Sequence, residues 1–373
     1  MTHYILTRFL YSQDEVILSL VTSLLKRDNL QESYYWAYEL YYSGVDMASL
    51  FWKIHFDFYA ERNPKLEGYM KLRMNALQED KDMKHIAYIV RNMFRLKPAS
   101  TTFILRQFLA SGGVPNCIYR GRRPVWLNDY EKPYHNLLLS IKKGHTSNAA
   151  CHLKTLLQTT SSDELFKTLV RHYSVSDNIV RIKRIEELWR TRIHDDDFHC
   201  LLSLIVNMSV PKKDVNVRGV FIVPQDADVE KARHIASESL PGERAYKVLR
   251  KKRLHYIRTV IGSFSLARQQ VENHKQDTFC HWEYYTMESP LWRARLDRFS
   301  GDLDHVNKKI SFPDEDNEDR FYDLYAFDFD EQPRDIQDMS LINIEKSDWS
   351  SWYYHIFECP PLVELPTGYS YLY

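Results

Sequence analysis

The amino-acid sequence predicts a mainly α protein. Its N-terminal part reads as a helical-hairpin, α-solenoid-like array, and its C-terminal region as mixed but mostly helical. Apolar and aromatic residues recur at helical spacing through the first hundred residues, and the helix starts recur at a nearly constant interval. Only one run is strongly β-prone. The chain has 373 residues, of which 44% are hydrophobic and 27% charged, so its composition is that of a globular protein.

Start and stop signals divide the first hundred residues into six short helices. Ser12 with Glu15 forms a capping box for the first helix, and Asp46 caps the third. Gly44 suits the end of the second helix, and Pro64 suits the first turn of the fourth. The interval of roughly 17 residues per helix, or about 34 per hairpin, is typical of α-solenoids. Two interpretations stay open, stacked hairpins or an irregular domain of similarly long helices.

Two changes in amino-acid composition divide the rest of the chain. A loop rich in Gly, Pro and Arg ends the array, and a β-prone run at 215–223 follows a second helical region. The predicted domains are residues 1–112 for the array, 127–210 for the second helical region and 211–373 for the C-terminal region. Helices are predicted in the second region over 129–143, 147–158, 162–173, 177–193 and 196–207. In the third region we expect helices at 226–239 and 241–273, then a tail of short helices and acidic loops.

Composition and missing motifs exclude several functional classes. Lys and Arg total 50 and match 50 Asp and Glu, so the chain is not a uniformly basic DNA-binding protein. The five Cys form no CxxC pair, which favours a reducing compartment. No secretory signal is apparent, and no apolar run reaches the length of a membrane span. Phosphate-binding glycine loops, GxSxG and HExxH are absent, so we expect no enzyme activity and no cofactor.

The strongest metal-like cluster is formed by His194, Asp196 and His199, whose side chains are of the types that hold Zn²⁺ or Mg²⁺. The competing interpretation is that the acidic residues at 195 and 196 cap the helix that follows, and we favour it. Three adjacent Cys–His pairs and an Asp-Phe-Asp triplet at 328–330 have no specific ligand spacing. The sequence therefore predicts no metal site.

Charge is unevenly distributed along the chain. Seven Lys or Arg and no carboxylate lie between residues 244 and 258, and a helix would place four of them in one stripe, namely Arg244, Lys247, Lys251 and Arg258. This basic ridge suits nucleic-acid phosphates, an anionic lipid surface or an acidic partner, and it also fits an ordinary solvated helix face. Residues 314–338 carry eleven Asp or Glu against two Arg, interleaved with aromatic residues, so we expect this acidic tail to pack on something.

Several aromatic blocks at both ends of the chain carry a resemblance. They are Tyr34–Gly44, Phe58–Pro64, Pro290–Arg295, Phe321–Tyr325 and Asp330–Pro333. In these blocks the chain resembles an uncharacterised protein family encoded by nucleocytoplasmic large DNA viruses, the giant viruses. The resemblance implies a viral protein in the cytoplasm of an infected cell, in its viral factory or in the virion. It implies no catalytic residues.

The functional expectation is a non-catalytic interaction or scaffold protein, such as a virion or assembly component, with other viral proteins as partners. Missing catalytic motifs, repeated hairpins and an aromatic content of 14% favour it. The alternative is a nucleic-acid-associated factor in viral transcription or replication that uses the basic ridge. The sequence does not predict an oligomeric state.

Overall fold

A computed structural model gives the fold and describes residues 7–9, 11, 13–110, 112–115, 119, 122–174, 186, 189–190, 197–209, 215–216, 219–230, 280–287, 289–325 and 349–359. These residues confirm a mainly α fold with a helical N-terminal array. Within them, the β-structure is a single two-stranded sheet.

Six helices form the N-terminal array: α1 (Gln13–Lys26), α2 (Leu30–Tyr42), α3 (Met47–Phe58), α4 (Lys65–Asp80), α5 (Lys84–Arg95) and α6 (Thr101–Ala110). The predicted cap of α3 is confirmed, because the Asp46 side chain accepts hydrogen bonds from the N–H groups of Ala48 and Ser49. Gly44 ends α2 with a φ of +84°, and a Cβ there would lie 2.5 Å from Cβ of Pro290. Local signals therefore placed these helix ends correctly.

The helices of the array do not pack only on their neighbours in sequence. The pairs α1–α2 and α4–α5 lie side by side, while α2 also packs on α5, and α3 packs on α6. Large aromatic side chains fill the space between them. The largest fully buried ones in the array are Trp36, Tyr34, Tyr35, Tyr38, Tyr59, Phe51, Phe58 and Phe103. A helix buried on more than one side, as the sequence predicts for α2, follows from this arrangement.

The second helical region builds its own core. Its helices are α7 (His135–Lys142), α8 (Thr146–Leu156), α9 (Ser162–Ser174) and α10 (Asp197–Ser209). The helix predicted at 129–143 begins later, because the 3-10 turns Val125–Asp129 and Lys132–Tyr134 occupy its first part and Pro133 lacks an N–H. Ser161 caps α9, since its Oγ accepts a hydrogen bond from the Glu164 N–H at 3.3 Å. Helix α10 packs against α8 and α9 on one side and α3 and α6 on the other.

The C-terminal part shares the core of the N-terminal array. It contains α11 (Trp282–Met287), α12 (Pro290–Asp297), an antiparallel hairpin of β1 (Asp302–Asp304) and β2 (Lys309–Ser311), α13 (Glu315–Tyr325) and α14 (Trp349–Phe357). Trp292, Phe321 and Trp352 are buried in the cluster that α1 to α5 form. The indole Nε1 of Trp352 donates a hydrogen bond to Thr22 Oγ1 at 3.1 Å, across 330 residues of sequence.

The β-prone run at 215–223, whose composition suggests a strand or hairpin, forms no strand in the residues that the structure describes there. Residues 219–223 are neither helix nor strand, and Gly219 has a φ of +22°. Side chains of α5 form hydrogen bonds with the main chain of Val220 and Ile222. The β-prone composition therefore does not show what this part of the main chain pairs with.

Candidate interaction site

The extended residues 219–223 lie across helices α4 and α5, where Asn92 holds the main chain. The Ile222 N–H donates to Asn92 Oδ1 at 2.8 Å, and Asn92 Nδ2 donates to the Ile222 carbonyl at 2.9 Å. One side-chain amide thus satisfies both main-chain hydrogen-bonding groups of one residue, as a neighbouring strand would. Contacts of this kind recognise an extended backbone whatever side chain it carries.

The Asn92 amide is held in this orientation by its own helix and by α4. Its Nδ2 also donates to the carbonyl of Tyr88 at 2.8 Å and to Tyr69 Oη at 3.1 Å. Because Nδ2 is directed at three acceptors, Oδ1 is left to meet the Ile222 N–H. With the segment in place Asn92 is only 2% exposed, and Tyr88 and Tyr69 supply hydrogen bonds to its amide that do not depend on the segment.

An aromatic contact lies beside the Asn92 clamp. The ring of Phe221 stacks on Tyr69 with centroids 4.2 Å apart and planes 16° apart. The guanidinium of Arg73 lies over the rings of Tyr88 and Tyr69, at 4.3 and 5.1 Å. Burial raises the pKa of Tyr69, against the lowering effect of Arg73, so the ring stays neutral at physiological pH. We call the surface formed by Tyr69, Arg73, Asn92 and Arg95 the α4–α5 surface.

The chain after this contact is anchored by a carboxylate and an apolar residue. Residues 226–230 form a short helical turn, in which Asp228 Oδ1 accepts a hydrogen bond from Gln31 Nε2 at 3.1 Å. Val229 is 7% exposed and belongs to the core of the array. Burial raises the pKa of Tyr34 above its ordinary range, while the charges of Arg91 and Asp228 act on it in opposite directions. Arg91 and Asp228 therefore both lie near Tyr34.

Two residues of the segment face solvent. Val220 and Val223 are 63% and 62% exposed, while Phe221 and Ile222 between them are half-buried. Arg95 Nη1 donates to the Val220 carbonyl at 3.4 Å, which is a main-chain contact again. Residues 219–229, which we call the 219–229 segment, therefore lie on the array as an extended peptide followed by a helical turn.

A second polar site joins α3, α6 and α10, and its members Asp57 and His199 are buried while Arg106 is partly exposed. Asp57 accepts hydrogen bonds from Arg106 Nη2 at 2.8 Å and from His199 Nε2 at 2.7 Å. Asp57 and His199 are each 1% exposed. Burial by itself raises the pKa of Asp57, but the charges and hydrogen bonds of Arg106 and His199 bring it well below the ordinary value. This triad is a tie between the two cores, because α10 packs against both.

The structure describes one of the three metal-like candidates. His199 lies in the buried triad, while His194 and Asp196 fall outside the described residues. In the described ranges, no group of three or more His, Cys, Asp or Glu side chains is arranged to hold a metal ion. Among the Cys–His pairs, Cys151 is buried beside a half-buried His152. The pair at 199 and 200 is reversed, because there the His is the more buried residue.

The basic ridge and part of the acidic tail are also outside the described ranges. Arg244, Lys247, Lys251 and Arg258 lie in the gap between residues 230 and 280, and so does the whole of the long helix expected at 241–273. Residues 314–325 of the acidic tail are described, and Phe321 on α13 is fully buried among Phe299, Phe312 and Tyr325. The expectation that this stretch packs on something holds for α13.

Sequence reasoning did not find Asn92 or Tyr69. One signal was present, because Asn92 interrupts the apolar face of α5 between Ile89 and Met93, and a polar residue there needs hydrogen-bond partners. Its partner Ile222 is 130 residues away in the sequence, and helical periodicity cannot reveal a contact between residues so far apart.

Comparison with protein-family models, with curated proteins and with solved structures finds no match to this chain. Among the helices described here, none is both long enough and apolar enough to cross a membrane.

Proposed function

We propose that this chain is a non-catalytic interaction or scaffold protein whose helical array binds extended segments of protein chain. The observation that carries this proposal is the Asn92 clamp, which meets both main-chain groups of Ile222 beside the stacked rings of Tyr69 and Phe221. A surface that recognises main chain through a fixed amide, and an aromatic residue through a fixed ring, is suited to binding protein.

The composition and the resemblance support the same proposal. Helical arrays present extended surfaces to partners, and Tyr and Trp are enriched at protein interfaces. The aromatic blocks that resemble the giant-virus family favour other viral proteins as partners, with the virion or its assembly in the viral factory as the setting. No enzymatic step or cofactor enters this function.

The proposal is tested by purifying the tagged chain from infected cells under gentle conditions. Light scattering gives the mass of the purified species, and cross-linking with mass spectrometry identifies the residues that contact a partner. We expect a complex larger than one chain, with cross-links from lysines of the array such as Lys65 and Lys71. A monomer without partners that is also absent from purified particles would contradict the proposal.

Nucleic-acid binding is the second candidate, and one sequence observation favours it. The basic ridge places Arg244, Lys247, Lys251 and Arg258 in one stripe with no carboxylate between 244 and 258. Each phosphate contact releases counterions, so the logarithm of the affinity falls with the logarithm of salt concentration.

A salt series on DNA and RNA binding tests this candidate. Replacing Lys247 and Lys251 together by Ala is expected to flatten the slope by about two units if both contact phosphate. The matched control replaces Lys132 and Lys167, which are exposed in the second helical region, and leaves the slope unchanged. Absence of binding at low salt would eliminate this candidate.

A further inference from the structure

We infer that the α4–α5 surface is a recognition site for an extended peptide of a partner protein, and that the 219–229 segment occupies it as an internal ligand. This inference rests on the proposed function and adds the chemistry of the ligand. The partner peptide carries an aromatic residue for Tyr69 and an extended main chain for Asn92. A carboxylate and an apolar residue follow it one short helical turn later.

The first argument is the generality of the main-chain contacts. Asn92 contacts the N–H and carbonyl of Ile222, and Arg95 donates to the carbonyl of Val220; every extended peptide presents such main-chain groups. Specificity comes from the aromatic ring on Tyr69 and from the anchors that follow. Any chain with the same spacing of anchors fits the surface as well as the internal segment does.

The second argument is that the internal segment can dissociate from the surface without leaving a buried charge unpaired. Its contacts at this surface are neutral or exposed, and Val220 and Val223 already face solvent. Water can hydrate the Asn92 amide once the segment has gone. A tie through a buried ion pair would not allow this, because it would leave an unpaired charge behind.

The third argument is charge complementarity. Arg73, Arg91 and Arg95 lie on the helices beneath the segment, and the residues after its aromatic side chain include Asp226, Asp228 and Glu230. Asp228 lies near Tyr34, as Arg91 does. The surface therefore favours a ligand that is apolar and aromatic at its beginning and acidic where it turns into a helix.

An internal ligand lowers the apparent affinity for a partner. Because the 219–229 segment is part of the same chain, it occupies the site at a high effective concentration. A partner peptide binds only the fraction of molecules in which the site is vacant, and its apparent Kd rises accordingly. Weakening the internal segment without altering the surface should therefore strengthen binding of an added peptide.

The experiment uses the full-length protein and a fluorescent peptide with this chain's own sequence from 217 to 230, followed by anisotropy. Phe221→Ala removes the stacked ring of the internal segment, and Ile222→Pro removes the N–H that Asn92 accepts. Both variants are expected to bind the peptide about ten-fold more tightly than the wild type. Adding Asn92→Ala to Phe221→Ala should abolish this gain. Val220→Ala is the matched control and should behave as the wild type does.

A folded Phe221→Ala or Ile222→Pro variant with wild-type helicity and no gain in affinity overturns the inference. If both variants unfold, hydrogen exchange on the wild type decides: unlabelled peptide should speed exchange of the Ile222 amide, and no change at saturating peptide also overturns it. Dimerisation of the wild type through exchanged segments, without peptide binding by the variants, would replace the partner by a second copy. Any of these results would leave the proposed function untouched. The proposed function is tested separately, by cross-links between other parts of the chain and its partners.

Discussion

Two non-helical segments lie on the helical array, and they are held in different ways. Residues 7–9 and 11 are held by a buried ion pair, in which Arg8 Nε lies 2.9 Å from Glu39 Oε2 and the Phe9 N–H donates to Glu39 Oε1 at 3.0 Å. Arg8 and Glu39 are 6% and 0% exposed. The 219–229 segment is held at its extended end by the neutral amide of Asn92, and Val220 and Val223 beside it are open to solvent.

The difference between the two segments is one of reversibility. Removing residues 7–11 from the array would leave the Glu39 carboxylate buried without its cation, which is costly. Tyr11 would also leave its place against Tyr35 and Trp36. Removing residues 219–223 exposes an amide and a ring that water and a partner can both meet. The first segment is therefore part of the fold, and the second is a replaceable ligand.

The largest expected loss of stability comes from breaking the buried ion pair between Arg8 and Glu39. Glu39→Gln keeps the volume of the side chain but removes the buried negative charge that pairs with Arg8, so the free energy of unfolding should fall by about 3–5 kcal/mol. Urea unfolding at pH 7 measures it. The control Asp297→Asn removes an exposed partner of Arg293 and should change little. A loss for Glu39→Gln as small as that of the control would erase the distinction between the two segments.

The triad of Asp57, Arg106 and His199 is a second buried charged contact, and its contribution to the free energy of unfolding depends on pH. Asp57→Asn is expected to lower the free energy of unfolding by about 3 kcal/mol at pH 7. The folded pKa of Asp57 lies below its ordinary value, so its stabilising contribution is complete above about pH 4 and is lost as the pH falls through the folded pKa. The gap between wild type and Asp57→Asn should therefore narrow below about pH 4. Unfolding curves at a series of pH values check this, and a gap that widens on acidification would contradict it.

Breaking the uncharged contact between Asn92 and Ile222 should lower the stability less than breaking an ion pair, and the effect should be confined to the 219–229 segment. Asn92→Ala is expected to lower the free energy of opening at the 219–229 segment by about 1–3 kcal/mol, because the N–H and carbonyl of Ile222 lose their partner. Hydrogen exchange followed by mass spectrometry should show faster exchange of the Ile222 amide and an unchanged Phe9 amide. Equal acceleration at both amides would mean that the two segments open together.

The smallest effect is expected at the exposed valines. Val220→Ser should change the free energy of unfolding by less than about 0.5 kcal/mol, because the side chain is already 63% exposed. Thermal unfolding compares it with Phe221→Ala, which loses a ring stack and should be the less stable of the two. A larger loss for Val220→Ser would place a contact of the segment on its outer side.

Local chemistry made the helices of this chain predictable. The caps at Asp46 and Ser161 and the stop at Gly44 depend on residues within four positions of each other, so they can be read from the sequence. The β-prone run at 215–223 forms no strand in its described residues for a related reason, since β-prone residues favour an extended backbone but do not choose what pairs with it.

The sequence by itself therefore determined the fold class and the positions of most helix ends. The tertiary structure decided the sites, because each joins residues that are far apart in sequence: Asn92 with Ile222 across 130 residues, and Asp57 with His199 across 142. Helical periodicity states which face of a helix is buried, but the helix that covers that face is chosen by the packing of the whole core. For that reason the sequence offers His199 only as a weak metal-ligand candidate, whereas in the structure His199 is a buried partner of Asp57.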